Sequence, residues 1–279
     1  MGDSAFQKQY RQEYVAGFEQ RQSLVRETVT TEAVVKGNEA IFLVADSNGE
    51  TAVTRGVNGL IPAKADNLTQ NTCTLAEWHD LRRRTDFNIL NSQGDGRRIM
   101  QENSMAVINR KIDSDIITTL DTIGATFNDT GAAATASLNM VMHALAILGN
   151  NAVPLDGNIS ALITPAFHAY LMQTKEFASA DYVNNKPFTS ALTMYRWAGV
   201  NFIVHPNLTG KGTAAEYCYM YHKSAIGHAT NTSGLETFAG YDEEQGYSFA
   251  RTTIHMGTKV LQNSGVVLMN HDGSGFAAA

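Results

Sequence analysis

Apolar positions change their period several times along the chain, and each change predicts a different element. Over residues 4–25, Phe6, Tyr10, Tyr14 and Phe18 recur every fourth place among Gln, Lys, Arg and Glu, the spacing of one helix face. Four aromatics on one side of a polar helix need a cover, either the protein's own core or a neighbouring subunit. Between residues 34 and 62 the period drops to two. The runs Glu39–Ala45 and Thr51–Arg55 flank Asn48-Gly49, a strong hairpin signal, and a second Asn-Gly follows at Asn58-Gly59. A hairpin of about 25 residues with so little apolar material cannot stand alone and must lean on something else.

Residues 74–87 open with Thr74 and, three places on, Glu77, a capping-box pattern that predicts a short helix anchored by Trp78, Leu81 and Phe87. The clearest element follows the loop at residues 91–96. From Arg97 to Ile123, Met105, Ile108, Ile112, Ile116, Leu120 and Ile123 keep a spacing of three or four. Asn109, Arg110, Asp113, Ser114 and Asp121 fill much of the other side. Such a helix is about 40 Å long at 1.5 Å per residue, long enough to be a structural spine with Ile108, Ile112, Ile116 and Leu120 as its core stripe. Beyond a Gly- and Ala-rich boundary at 128–136, helices and strands alternate. Helices are predicted at 137–148, at 165–175 behind a Thr164-Pro165 start, and at 189–197. Strands are predicted at 159–163, 200–204 and 217–222, with a short turn of helix or a loop at 224–229 and long closing runs at 247–255 and 259–269. The class is α+β.

Composition narrows what such a chain does. Of 279 residues, 17% are charged and 43% hydrophobic, with 21 Lys and Arg against 27 Asp and Glu, a formal charge of −6. Enough apolar material is present to exclude disorder, and the low charge predicts a neutral polar surface suited to lateral protein contacts. Mild acidity argues against a dedicated nucleic-acid binder. Two cysteines, Cys73 and Cys218, exclude a disulfide scaffold and fit a reducing compartment. No apolar run reaches membrane-spanning length and the first residues do not resemble a signal peptide, so no membrane partner is expected.

Catalytic signatures are missing. There is no GxSxG elbow, phosphate loop, HExxH or CxxC, and Gly94-Asp-Gly96 lacks the preceding strand and third glycine of a dinucleotide loop. His222 and His228 have no acid or Cys at ligand spacing. Asp113 and Asp115 point apart on a helix, so a solvated helix face is the simpler reason for both. Asp242-Glu243-Glu244 reads as a solvated turn and Cys218 as a small packed hydrophobe. Arg82-Arg83-Arg84 is the one basic cluster. It reads either as a solvated helix face paired with Asp80 and Asp86 or as an inter-subunit or phosphate-facing patch. No catalytic residue, cofactor or metal is expected, and the chain reads as a building part.

The order of elements, together with several strings, resembles the major capsid proteins of tailed bacteriophages. Those strings are Asn71-Thr-Cys-Thr-Leu-Ala-Glu-Trp-His-Asp80, Ile108-Asn-Arg-Lys-Ile-Asp-Ser-Asp-Ile-Ile117, Ala161-Leu-Ile-Thr-Pro-Ala-Phe167, Trp197-Ala-Gly-Val-Asn-Phe-Ile-Val204, Tyr221-His-Lys-Ser-Ala-Ile226 and Gly257-Thr-Lys-Val260. The resemblance spans about residues 20–270 and implies the HK97-type capsid fold. It implies an N-terminal arm at 1–33, an extended hairpin (E-loop) at 34–73 and a peripheral domain with the spine helix at 74–130. An axial domain at 131–240 and a return to peripheral strands with a C-terminal tail at 241–279 complete it. It further implies self-assembly through hexamers and pentamers into an icosahedral head, built in the host cytoplasm and located in the virion. Packaged double-stranded DNA would be touched weakly, and scaffold, portal and decoration proteins are further partners of this kind of shell. The short arm points to a separate scaffold or none. Lys36 and Lys64 flank the hairpin without an evident crosslinking partner. An encapsulin-like nanocompartment is the alternative within the same fold. A soluble α+β enzyme is the alternative from another class, and it lacks a concentrated set of acids, bases or metal ligands.

Overall fold

The structure, a computed structural model, describes residues 19–35, 37–47, 49–64, 67–85, 88, 96–123, 128–178, 194–231 and 235–276. In chain order the elements are β1 (Thr30–Val35), β2 (Glu39–Asp46), β3 (Asn67–Thr74), β4 (Ala76–Thr85) and α1 (Gly96–Ile123). There follow α2 (Leu138–Asn150), β5 (Ile159–Ile163), α3 (Pro165–Leu171), α4 (Lys175–Ala178), β6 (Met194–Trp197), β7 (Val200–Val204) and β8 (Glu216–His222). The chain closes with β9 (Ile226–Asn231), β10 (Glu236–Asp242), β11 (Tyr247–Val260) and β12 (Val266–His271). One sheet runs β1-β9-β11-β10 with β4 on the other side of β11, a second runs β12-β8-β5-β7-β6, and β2-β3 form a separate ribbon.

The long helix α1 lies across the first sheet, mainly on β11. Ile108, Ile112, Ile116 and Leu120 are buried in one core that includes Ile254 and Met256 of β11. Met105 is 40% exposed and lies off this stripe. The matching position is taken by buried Ser104, whose hydroxyl donates to the Asp80 carbonyl at 3.2 Å. The helix meets the backbone of β4 there, where a short hydrogen-bonding side chain fits.

Local signals are kept where a cap or turn is geometrically compelled. Ser137 caps α2 by accepting from the Met140 N–H at 3.4 Å, and Thr164 caps α3 by accepting from the Phe167 N–H at 3.2 Å with Pro165 in the first turn. Helix α3 ends at Leu171, short of the expected 175. Trp197 pairs with Val200 across Ala198 and Gly199, which have φ of 50° and 79°, the two positive values of a tight hairpin turn.

Elsewhere the tertiary structure overrides the sequence pattern. The described residues 74–85 are not a helix: ten of them form β4, antiparallel to β11 from Ala76↔Met256 to Thr85↔Tyr247. A ten-pair ladder outweighs the capping-box pattern, and it places Trp78 under the Lys111 ammonium at 3.8 Å from the ring centre. Phe87 and Asp86 lie outside the described residues. The expected helix at 189–197 is strand β6 in its described part, because Met194–Trp197 pairs with β7. Residues 19–25 form no helix but irregular chain with bends, and Phe6, Tyr10, Tyr14 and Phe18 lie outside the described residues.

The hairpin also differs from expectation. The partner of β2 is β3, from Glu39↔Thr74 to Asp46↔Asn67, and the described residues of 49–64 between them hold no strand, so Thr51–Arg55 is loop. The second Asn-Gly makes the tip, where the Gly59 N–H donates to the Gly56 carbonyl and Gly59 has φ 72°. Residues 224–229 begin as a 3-10 turn but continue as β9, and β10 has no counterpart in the sequence reading. The run at 259–269 is broken by a 3-10 turn at Asn263–Gly265, which sends β11 and β12 into different sheets.

Replacing Ile112 with Ala should cost about 2–5 kcal/mol of subunit stability, and Met105→Ala within about 0.5 kcal/mol. Urea unfolding of the two variants measures the difference, and equal effects would show that α1 does not pack through this stripe.

Candidate functional site

The β2–β3 ribbon carries the most conspicuous surface. On its outer face Ile41, Leu43 and Leu68 stand together, since Leu43 pairs with Gln70 and Ala45 with Leu68. Leu43 and Leu68 are each 68% exposed, and at the tip Val57 reaches 107% with Leu60 and Ile61 beside it. The tip is ordered from within. Lys64 pairs with Glu50 at 3.1 Å and donates to the Thr51 carbonyl, while the Gly56 N–H donates to Leu60 O at 3.0 Å. Among the described residues the base is anchored: Ala40, Cys73 and Ala229 are buried with Phe42 and Leu75. The Phe42 ring lies on Gly227, where any Cβ would come within 2.9 Å of it. Burial pushes the Cys73 thiol up to about 11, so this cysteine is a packed hydrophobe and not a nucleophile. An isolated two-stranded ribbon with a row of exposed aliphatics is stable only when something covers it. Lys36, on the other side of the hairpin, lies outside the described residues.

A second feature joins the arm to the spine. Asp113 is 1% exposed and gathers donors from two sides. The Ser23 hydroxyl donates to it at 2.5 Å, the Leu24 and Val25 N–H groups at 3.0 and 3.3 Å, and the Gln20 amide donates to it as well. His205 accepts from the Asn207 N–H at Nδ1, so its Nε2 carries the ring proton and donates to Asp113 at 3.4 Å. Asn109 donates to the Arg21 carbonyl at 2.9 Å, and Arg110 pairs with Glu19 at 2.7 Å. Residues 19–25 therefore lie along the polar side of α1 and cover it. Burial pushes the Asp113 carboxyl up, but the donors from His205, Ser23 and Leu24 outweigh it and hold the group below its ordinary value. Asp115 points away, as helix geometry requires, and accepts from Thr258 of β11 at 2.7 Å. Neither aspartate is a free surface acid. The sequence signal was available in hindsight: a polar stripe on a helix otherwise buried needs polar chain lying over it.

The three arginines do not act as one patch. Strand alternation sends Arg82 and Arg84 to the helix side of β4 and Arg83 to the outer side. Arg82 pairs with Asp80 at 2.9 Å, and Arg83 stacks 4.9 Å above the Tyr247 ring. On the outer side Arg83 joins Leu81, Phe238, Phe249 and Arg251, a mixed apolar and cationic face.

A family model described as phage capsid protein matches residues 3–272. The chain belongs to that family. It is a structural subunit of a capsid shell. No curated protein matches it in sequence. Solved structures similar to it include a chain of Mycobacterium phage Che8, at 17% identity and a TM-score of 0.76, covering 96% of this chain and 98% of that one. The cyanophage Pam1 capsid is similar at 11% identity and a TM-score of 0.78, covering 99% and 98%. The capsid of a native GTA particle aligns at 12% identity and a TM-score of 0.72, covering 96% of each. Likeness across nearly the whole length establishes the HK97-like capsid fold for this subunit.

Asp113→Asn removes acceptor capacity from five donors and should release residues 19–25 from α1 while the sheets stay folded. A carboxyl held below its unfolded value adds stability that is complete above that value and is lost as pH falls through the folded one. The arm root of the wild-type subunit should therefore loosen below about pH 4. Amide exchange at Leu24 and Val25 reads both effects, and unchanged protection would show that Asp113 does not hold the arm.

Proposed function

We propose that this subunit is the major shell protein of a tailed-phage head, closing with itself through hexamers and pentamers around double-stranded DNA. One observation carries this reading: an internally ordered hairpin whose aliphatic face and tip are covered by none of the described residues. A closed lattice of identical subunits supplies that cover at every copy, because each hairpin meets the same neighbouring surface. The subunit acts through assembly and performs no catalysis.

The peripheral domain is taken at 74–130 with the return at 241–279 and the axial domain at 131–240, while the sheets join β9 and β10 to the first of these and β12 to the second. Residues 1–33 are the arm and 34–73 the E-loop. The arm aromatics Phe6, Tyr10, Tyr14 and Phe18 fit a contact with a neighbouring subunit, reached from a root that is tied down at Asp113. Arg82 and Arg84 on one side of β4, and Arg83 on the other, fit inter-subunit or DNA-facing roles of different kinds. Scaffold, portal and decoration proteins are the further partners, with assembly in the host cytoplasm.

Purified subunit should form capsomers or shells visible by electron microscopy and light scattering. The double variant Leu43→Asp with Leu68→Asp should fold normally by circular dichroism yet close no shells. A wild-type chain that stays a monomer under all assembly conditions would overturn the reading, as would normal shells from the double variant. Arg83→Gln and the pair Arg82→Gln with Arg84→Gln separate the two faces. Loss of shells in one variant marks subunit contact on that face, and intact shells with altered DNA retention mark the lumen.

A further inference from the structure

His228 stands in the middle of β9 and is fully buried. Its neighbours in the first sheet are Thr31 of β1 on one side and Thr258 of β11 on the other. Strand alternation turns it toward α1, which Thr258 also meets through Asp115. Gly227 and Ala229, the residues before and after it, turn the other way and meet the hairpin base at Phe42 and Ala40. Strand β9 therefore lies between spine and ribbon. It also holds β1, the segment that joins the docked arm root to the hairpin.

Hydrogen bonding fixes which form of the ring fits this place. The Thr258 hydroxyl donates to Asp115 at 2.7 Å, so its oxygen is left to accept, and His228 Nδ1 lies 3.0 Å from it. Nδ1 therefore carries the ring proton and Nε2 a lone pair. Among the described residues that nitrogen is buried without a partner, as is the Thr230 hydroxyl two places along the strand. A proton on Nε2 would be a buried donor and a buried charge at once, with nothing to accept it. Burial accordingly holds the imidazole far below its ordinary 6.5, at about 4. The positive charge of Arg26, beside the arm root, pushes the same way, and the opposing Asp113 carboxylate is outweighed. Asp115 reaches the ring only through Thr258, and Thr31 brings no charge.

We propose that His228 is a proton-sensitive lock on β1: the strand stays paired with β9 while the ring is neutral, and a proton taken from solvent onto Nε2 favours an open form in which water reaches the ring. Opening frees the arm-root side and loosens the hairpin base together, because β1 is continuous with both. Between pH 6.5 and about 4 the open form binds a proton that the closed form refuses. Closure is therefore at full strength above pH 6.5 and weakens as pH falls through this window. Asp113 acts at lower pH, so the two effects separate along the pH axis.

The test is amide exchange on the unassembled full chain from pH 7.5 to 5, corrected for the intrinsic pH dependence of exchange. It is independent of whether shells form. In the wild type the opening equilibrium at residues 30–35 and 226–231 should rise about 30-fold over that range, tenfold for each pH unit below 6.5. His228→Asn keeps a donor toward Thr258 without a titrating ring, and His228→Phe removes both. Each should remove the slope, even where it raises opening at every pH. His168 and His271 are also held low by burial, but they lie on α3 and β12. His168→Gln should leave the slope at residues 30–35 in place, and circular dichroism at each pH shows that the subunit stays folded. A flat wild-type profile down to pH 5, or the wild-type slope in either folded His228 variant, would overturn the proposal.

Discussion

Everything in this subunit depends on one side of α1 lying on β11. Strand β11 is 14 residues long and is shared by three partners, with β4 on one side and β10 then β9 on the other. Its inward positions, among them Ala250, Thr252, Ile254 and Met256, are the floor on which the spine rests. A 28-residue helix holds a single direction only when its apolar stripe is continuous and the surface beneath is flat enough to meet it. The unbroken stretch from Ile108 to Leu120 and the long strand satisfy both conditions. The ribbon and the arm take their positions from this frame.

The opposite side of the helix solves a different problem. A spine with sheet on one side and water on the other would be an ordinary surface helix. Here the polar side is covered as well, by irregular chain whose backbone groups need partners. Asp113 accepts two backbone N–H groups, Asn109 donates to one carbonyl and Arg110 to another. An irregular segment without strand neighbours can be docked in this way, and a dock made of hydrogen bonds holds position without a large apolar patch.

The hairpin shows the same economy. Its base is packed through Ala40, Phe42 and Cys73, and its apolar exposure rises toward the tip. Stability and assembly are thereby divided along one ribbon. The anchored end belongs to the subunit fold, and the free end presents aliphatic surface that the other described residues leave exposed.

Much of the architecture was legible because some signals are local. The stripe Ile108–Leu120, the caps at Ser137 and Thr164 and the short buried strands at 159–163 and 200–204 follow from spacing and turn chemistry within a few residues. The ordered set of family-like strings carried the capsid fold. Partnership was not legible. Residues 76–85 satisfy a helix-start rule, and only the ladder to β11, about 170 residues away along the chain, makes them a strand. Position 51–55 looks like the return strand of a hairpin, yet β2 finds a longer partner in 67–74. Asp113 and Asp115 differ in nothing a sequence displays, and one lies under the arm while the other meets Thr258. Sequence determined which faces are apolar and where the chain must turn, because those depend on neighbours within one or two helical turns. What each polar face meets was decided by the tertiary structure alone, since a hydrogen bond or a ladder needs its second half supplied from a distant part of the chain.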